Sequence, residues 1–249
     1  VEGLTLQFGG VAALQDVSLY VRPGELVSVI GPNGAGKTSL FNCVCGLYRP
    51  QQGRVVFDGH DITRAPPDAI ARMGVARTFQ NLELFRGMTV LDNLLLGCHR
   101  HFRAGVWQVA LGLGPARREE VRQRERAEAV MEFLDLQAYR AHPVAALPHG
   151  VQKVVEIGRA LCSEPRLLLL DEPSAGLTAE EKDELKYRLQ ETRRVFGVTV
   201  VLVEHDLRMV MDLSERVVVL DHGVVIAEGP PDQVQRDPRV VEAYLGVGA

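Results

Sequence analysis

No stretch of this 249-residue chain approaches the ~18 consecutive apolar residues that a helix needs to cross a bilayer. A membrane role therefore requires a partner that supplies the spans. No secretory leader is expected ahead of the first strand, although the chain opens at Val1 rather than at a methionine. Positive charge is not in excess: 28 Lys and Arg against 32 Asp and Glu leave a net charge of −4. That balance gives no reason to expect nucleic acid or an anionic membrane surface as the main partner. The four cysteines, Cys43, Cys45, Cys98 and Cys162, include no CxxC pair. They are expected as small buried hydrophobes in a reducing compartment. Internal repeats and low-complexity tracts are absent. What remains is an ordinary globular composition, 46% hydrophobic and 24% charged, and a chain of this length buries a sizeable core without staples.

The first part of the chain reads as short strands. Leu4–Phe8 and Val17–Val21 alternate as half-exposed antiparallel strands, with a Gly9-Gly10 turn between them. Leu26–Ile30 is a continuous apolar run, as in a strand covered on both faces. A helix is expected from Lys37 to about Cys45, and a strand over Arg54–Phe57 closed by an Asp58-Gly59 turn. From about Thr89 to Cys162 the pattern is helical. Arg117–Leu136 predicts a helix with a buried stripe at Val121, Val130, Phe133 and Leu134. The stretch from His101 to Pro115, with the single tryptophan, gives no firm assignment. Leu167–Leu170 and Thr199–Val203 are further buried strands. Between them Ala179–Phe196 is a charged helix, with Thr178 as N-cap and acids in its first turn. Arg216–Leu220 and Val224–Ala227 form a hairpin around Asp221-His222-Gly223, and short helices follow Pro231 and Pro238. Buried strands alternating with helices predict an α/β core around a parallel sheet.

Two motifs carry chemistry on their own. Gly31-Pro32-Asn33-Gly34-Ala35-Gly36-Lys37-Thr38 matches GxxxxGK[ST] directly after a buried strand and before a helix. Glycines let successive backbone N–H groups cradle phosphate oxygens, and the helix beginning at Lys37 adds its positive end. Lys37 can reach the β- and γ-phosphates, and the Thr38 hydroxyl can coordinate Mg²⁺. The four fixed positions recur by chance about once in 100 chains of this size, and the strand–loop–helix context makes a chance match rarer. Further on, the strand Leu167-Leu-Leu-Leu ends in Asp171-Glu172. Ligands of open α/β sheets lie at the carboxyl ends of strands. There Asp171 suits Mg²⁺ held through water, and Glu172 suits polarisation of an attacking water. The plainer alternative is a pair of acids capping the following helix.

With these motifs the chain resembles the ATP-binding subunits of ABC transporters over essentially its whole length. Gln80, in Arg77-Thr-Phe-Gln80-Asn81, stands at that family's Q-loop glutamine. Leu147-Pro148-His149-Gly150-Val151-Gln152 stands at its signature, commonly LSGGQ, and His205 at its switch histidine. Phe8 stands at the aromatic position that stacks on adenine. The resemblance implies a P-loop NTPase (RecA-like) α/β core with a parallel sheet, an antiparallel β subdomain and an inserted α-helical subdomain. The implied boundaries are 1–82 and 164–229 for the core with its β subdomain, 83–163 for the helical signature subdomain, and 230–249 for C-terminal helices. It implies binding and hydrolysis of ATP with Mg²⁺. ATP contacts would come from Phe8, residues 31–38, Ser39 and the signature Pro148, His149, Gly150, Val151 and Gln152. Mg²⁺ would be held by Thr38, Gln80 and Asp171, with Glu172, His205 and Gln80 as catalytic residues. The partners implied are transmembrane permease subunits and a second ATP-binding subunit, homo- or heteromeric, at the cytoplasmic face of the inner membrane.

Several stretches resemble the branched-chain amino acid importer branch, its LivG-type subunits in particular. They are Phe8-Gly-Gly10, Arg77-Thr-Phe-Gln-Asn81, Leu84-Phe-Arg-Gly-Met-Thr89, Glu204-His-Asp206, Glu242-Ala-Tyr-Leu-Gly246 and the long insert from about His99 to Arg126. Urea importers and lipopolysaccharide-exporting ATPases share much of the pattern, and a soluble ABC ATPase without a permease, or a non-catalytic nucleotide sensor, are the rival readings. The signature departs from the family: Pro148 replaces the usual Ser, His149 a Gly (Tyr in this branch) and Val151 a Gln. Pro148 brings no hydroxyl, so backbone N–H groups and the helix dipole must do more. His149 either adds a charge-assisted contact or takes over a packing role, the latter being favoured. Thr178 stands where most of the family has Asp, which puts communication across a dimer in doubt there.

Overall fold

A computed structural model describes residues 1–80, 82–101 and 114–245. Asn81, most of the stretch His101 to Pro115, part of the insert from His99 to Arg126, and the end of the Glu242–Gly246 motif lie outside the described residues. The central sheet has six strands: β3 (Leu26–Ile30), β7 (Val75–Arg77), β8 (Leu167–Asp171), β9 (Thr199–Val203), β10 (Arg216–Asp221) and β11 (Val224–Gly229). Their order is β11-β10-β3-β9-β8-β7. All neighbours are parallel except the β10–β11 hairpin. Every residue of β3 is buried, as its uninterrupted apolar run requires of a strand covered on both faces.

A second, antiparallel sheet pairs β1 (Glu2–Phe8) with β2 (Val11–Val17) and with β4 (Gln52–Arg54). The sequence expectation of a strand over Val17–Val21 is corrected here: the strand lies at Val11–Val17. A two-residue Gly9-Gly10 turn, both glycines at positive φ, sets Phe8 opposite Val11, so the return strand starts at once. Arg54–Phe57 is likewise not one strand. Val55 is buried and turns away to exchange backbone bonds with Ile62 and the Thr63 hydroxyl. The chain passes there from β4 to a small hairpin of β5 (Val56–Phe57) and β6 (His60–Asp61).

The described α-helices are α1 (Lys37–Val44), α2 (Pro67–Met73), α3 (Val90–Gly97), α4 (Gly114–Phe133), α5 (His149–Leu161), α6 (Ala179–Phe196), α7 (Leu207–Leu213), α8 (Pro231–Val234) and α9 (Pro238–Leu245), with short 3-10 turns at Cys98–His101, Gln137–Tyr139 and Val144–Ala146. Residues 82–101 and 114–163 contribute no strand to the central sheet. Their helices α3, α4 and α5 pack on one another through Leu94, Val130, Leu134, Val155 and Leu161. In α4 the helical period is as expected, but its buried stripe runs Ala127, Val130, Met131, Leu134, and Val121 is exposed. The Thr178 cap of α6 is a complete capping box: its side chain accepts from Glu181 N, and Glu181 reaches back to Thr178 N. All four cysteines are free, three of them buried.

One ion-pair cluster ties the edge of the core together. Arg216, opening β10, donates to both carboxylate oxygens of Glu25 at 2.8 and 2.9 Å, to Glu228 of β11 and to the Tyr20 carbonyl. Its guanidinium lies 4.3 Å from the Tyr20 ring. Burial alone would raise the Glu25 carboxyl, but the hydrogen bonds and charge of Arg216, with the Arg22 amide, outweigh it and hold it below the usual carboxylate range. The contribution of a carboxyl depressed in this way is present above its unfolded value and is lost as pH falls through the folded one. Arg216→Met leaves Glu25 buried and unpaired. Urea denaturation at neutral pH is expected to show a loss of about 3 kcal/mol, and that deficit should shrink on acidification.

Candidate active site

β3 ends at Ile30 and the chain turns sharply at Gly31. A Cβ on Gly31 would lie 2.0 Å from the Leu220 carbonyl of β10, and one on Gly36 would lie 2.5 Å from the Ala13 carbonyl. Gly34 and Gly36 take positive φ, 82° and 105°, which suits glycine alone without strain. Gly31 and Gly36 are thus forced by the close approach of two strands of the same chain, β10 and β2. α1 starts at Lys37 with Gly36 as N-cap and no side-chain cap, so its first N–H groups remain available to an anion. Asn33, Gly34 and Thr38 are exposed, Pro32, Gly36 and Ser39 half-buried, Gly31 and Ala35 buried. Lys37 is 6% exposed and lies over the loop, its ammonium donating to the Gly31 carbonyl at 2.7 Å and the Pro32 carbonyl at 3.0 Å. Burial pulls the Lys37 pKa below its ordinary value, against the opposing pull of Glu172 and Asp171.

Those two acids end β8. Asp171 is buried, and its Oδ2 accepts from Arg77 at 2.7 Å; Arg77 also donates to Asn42 of α1 at 2.6 Å. Glu172 has φ 48°, a left-handed conformation uncommon for a non-glycine residue. Its amide donates to the Val203 carbonyl at 2.9 Å, which holds that turn in place. The carboxylate is engaged at both oxygens. His205 Nε2 meets Oε1 at 2.9 Å and the Gln80 amide donates to Oε2 at 2.9 Å. Gln80, just past β7, is in turn tied to α5: Lys153 Nζ donates to its carbonyl at 3.3 Å, and Phe79 N donates to the buried Glu156 at 3.3 Å. His205 follows β9, and its amide donates to Glu204 Oε2 at 3.0 Å.

Residues 148–152 form the first turn of α5. Pro148 is its N-cap, with no side-chain cap. His149 Nε2 lies 3.3 Å from the Ala175 carbonyl, Gln152 donates to the Leu147 carbonyl at 2.8 Å, and Val151 packs half-buried on the helical core. A Cβ on Gly150 would stand 2.3 Å from a Glu181 carboxylate oxygen, so a larger residue there would have to displace that side chain. Among the described residues no hydrogen bond or ion pair joins 148–152 to 31–39. Phe8 is 47% exposed and meets Tyr48 edge-on, with ring centroids 5.1 Å apart.

The structure therefore brings Gln80, Glu172 and His205 together beside Lys37 and Asp171, and leaves the 148–152 segment apart. Sequence reasoning gave no role to Arg77, Glu204 or Tyr48. Arg77 and Glu204 lie inside stretches already singled out, but their partners are set by strand order rather than by spacing, so no local signal marks them.

A family model described as "ABC transporter" matches residues 14–175. The chain belongs to the ABC transporter family, as one of its ATP-binding proteins. A second model, "Branched-chain amino acid ATP-binding cassette transporter", matches residues 224–249. The chain is 43% identical to the Pseudomonas aeruginosa high-affinity branched-chain amino acid transport ATP-binding protein BraF, over 99% of this chain and 96% of that protein. It is 40% identical to the corresponding LivG of Escherichia coli K12, with the same coverage. Among solved structures it is similar to a nucleotide-free ATP-binding cassette from an ABC transporter, with TM-score 0.86 and 33% identity over 100% of this chain and 98% of that one. It is also similar to the cassette MJ0796 in a dimeric post-hydrolysis state bound to ADP and Pi, with TM-score 0.76 and 27% identity over 92% and 97% of the two chains. This ABC cassette is an ATPase with the parallel P-loop α/β core that its sequence leads one to expect. Among its described residues no helix is long and apolar enough to cross a membrane.

Proposed function

We propose that this cassette powers import of branched-chain amino acids, hydrolysing ATP on the cytoplasmic face of the inner membrane beneath permease subunits that carry the substrate. The single observation that supports it most is the carboxylate of Glu172, aimed by Gln80 and His205 at a phosphate cradle closed by Lys37. Full-length likeness to BraF and LivG supports the choice of cargo.

In this reading Phe8 stacks on the base, and the amides of 31–39 with Lys37 hold the phosphates. The donors near the γ-phosphate position suit Mg²⁺, which takes oxygen ligands and keeps several waters. The Thr38 hydroxyl is exposed, the Gln80 carbonyl oxygen is left over from its amide bond to Glu172, and Asp171 keeps Oδ1 beside the Arg77 contact. Bound there, the ion would neutralise charge on the phosphate oxygens. Glu172 accepts a hydrogen bond from the attacking water and orients it for in-line displacement, while His205 holds the carboxylate in place. The turn 148–152 is separate from the cradle of its own chain. Its free N–H groups therefore serve the γ-phosphate of a second ATP-binding subunit, in a dimer with two nucleotides in its interface. Residues 1–82 and 164–229 are the part that holds nucleotide, 83–163 the helical part that presents the signature turn, and 230–249 the C-terminal part, whose helices α8 and α9 pack on the core through Val234 and Val240. Gln80, held by Lys153 to α5, carries the site's state toward the permease.

The test is substrate-stimulated ATP hydrolysis by the transporter reconstituted in liposomes with its binding protein. Leucine, isoleucine or valine is expected to raise turnover several-fold. Stimulation by urea instead, or by lipopolysaccharide, would replace the cargo assignment and keep the ATPase. Failure of the cassette to co-purify with any membrane protein would remove the transport reading altogether.

A further inference from the structure

Two of the positions at which this chain departs from its family's pattern, His149 and Thr178, bracket one contact region. His149 opens the signature turn, and its Nε2 lies 3.3 Å from the Ala175 carbonyl. A Cβ on Gly176 would come within 3.2 Å of the same ring nitrogen. Thr178 ends that loop by capping α6 through Glu181, and the Glu181 carboxylate lies against Gly150 of the signature turn. The loop 174–178 therefore lies against the signature turn at both ends and is bonded to it at one, through His149 and Ala175. On its other side it is fastened to the hydrolytic centre. Ser174 N donates to Glu204 Oε1 at 2.8 Å, Glu204 Oε2 accepts from His205 N at 3.0 Å, and His205 Nε2 meets Glu172 Oε1 at 2.9 Å. Glu204 is buried, with both carboxylate oxygens occupied by these amides.

From this we infer that His149 is a positioning residue. It ties the turn that faces the nucleotide across the dimer to the Glu172–His205 pair of its own chain, through Ala175, Ser174 and Glu204. The inference rests on the dimer reading above. The His149 contact is solvent-exposed, so it adds little to folding stability, and variants at 149 keep the fold. Its value lies in transmission: a shift of the signature turn onto phosphate pulls the Ala175 carbonyl, and the buried Glu204 carboxylate passes that pull to the amide of His205. Seating of one nucleotide thereby sets the carboxylate geometry at the other.

The experiment uses the assembled transporter and measures kcat and KM for ATP. His149→Leu should lower kcat about fivefold, the loss expected of one neutral hydrogen bond, with KM within about twofold of wild type. His149→Gln keeps an N–H donor at similar reach and should restore most of kcat. Glu204→Gln keeps shape and one acceptor but breaks one of the two amide bonds, so it should lower kcat too. The double variant His149→Leu/Glu204→Gln should be no slower than the slower single one, because both cut the same path. Unchanged kcat in His149→Leu, no recovery with His149→Gln, or losses that multiply in the double variant would each overturn the inference. A raised KM with kcat kept would do the same, since it would make the ring a direct phosphate contact. The dimer reading has its own readout, the nucleotide-trapped dimer of Glu172→Gln. If that dimer fails to form, the dimer reading fails and takes the relay with it. If it forms and the 149 variants turn over normally, only the relay is lost.

Discussion

Glu172→Gln should retain ATP binding, lose turnover by at least about tenfold, and accumulate as a nucleotide-bound dimer; loss of a positioned base lies in the ~10²–10⁴ range. The substitution is nearly isosteric, so the phosphate cradle of 31–39 is untouched. What changes is the charge and the hydrogen-bond set. At present one carboxylate oxygen receives the Gln80 amide and the other meets His205 Nε2. A glutamine here has one oxygen and one NH₂. If its NH₂ faces Gln80, two donors oppose each other; if it faces His205, the imidazole must give up its proton at that nitrogen. In neither pose is an anion left to polarise water. Phosphate release and size-exclusion in ATP and Mg²⁺ measure both parts. Hydrolysis at the wild-type rate would mean that another group activates the water.

Lys37→Ala should abolish measurable ATP binding, with calorimetry showing at least about a hundredfold loss of affinity; charge-assisted hydrogen bonds to a polyanion are roughly twice as strong as neutral ones. The ammonium is the cation that the loop itself contributes. It also satisfies the Gly31 and Pro32 carbonyls. Removing it takes away the phosphate contact and the donor to the Gly31 carbonyl, and leaves the Pro32 carbonyl with the Ala35 amide alone, so the loop loses support as well as charge. Retained affinity would remove the phosphate-loop assignment and with it the account of the site. Glu172→Gln should unfold near the wild-type denaturant midpoint, since its side chain belongs to none of the hydrophobic clusters, while Lys37→Ala, which removes a buried donor from the loop's own main chain, should unfold somewhat below it.

The nucleotide end of the sheet was legible because its chemistry is compressed into contiguous residues. Residues 31–38 announce the cradle by their spacing, although the carbonyls of Leu220 and Ala13 that crowd Gly31 and Gly36 come from elsewhere in the chain, and Asp171-Glu172 follow a short apolar run that suits a buried strand. The Thr178 cap and the β10–β11 hairpin were legible for the same reason: capping boxes and tight turns are local interactions. What could not be read is what strand order decides. Arg77 and Asp171 are paired only because β7 and β8 are neighbours. Glu204 bridges Ser174 and His205 only because β8 and β9 run side by side. β7 itself, three residues long, is too short to show a period, and α7, seven residues long, is little better. The shift of β2 to Val11–Val17 has a different cause. Ala12 and Ala13 have weak strand propensity, while the alternating Val17–Val21 looks more convincing until the turn at Gly9-Gly10 is allowed to set the register.

The resting place of the Lys37 side chain has a consequence for the rhythm of the catalytic cycle. With its ammonium resting on two main-chain oxygens of the same loop, the cassette carries an internal stand-in for its guest. Arrival of a triphosphate is then an exchange of one set of acceptors for another, not the filling of an electrostatic void. A nucleotide is thus met by a cation that the loop already holds in register, so little of its binding energy goes into ordering that side chain.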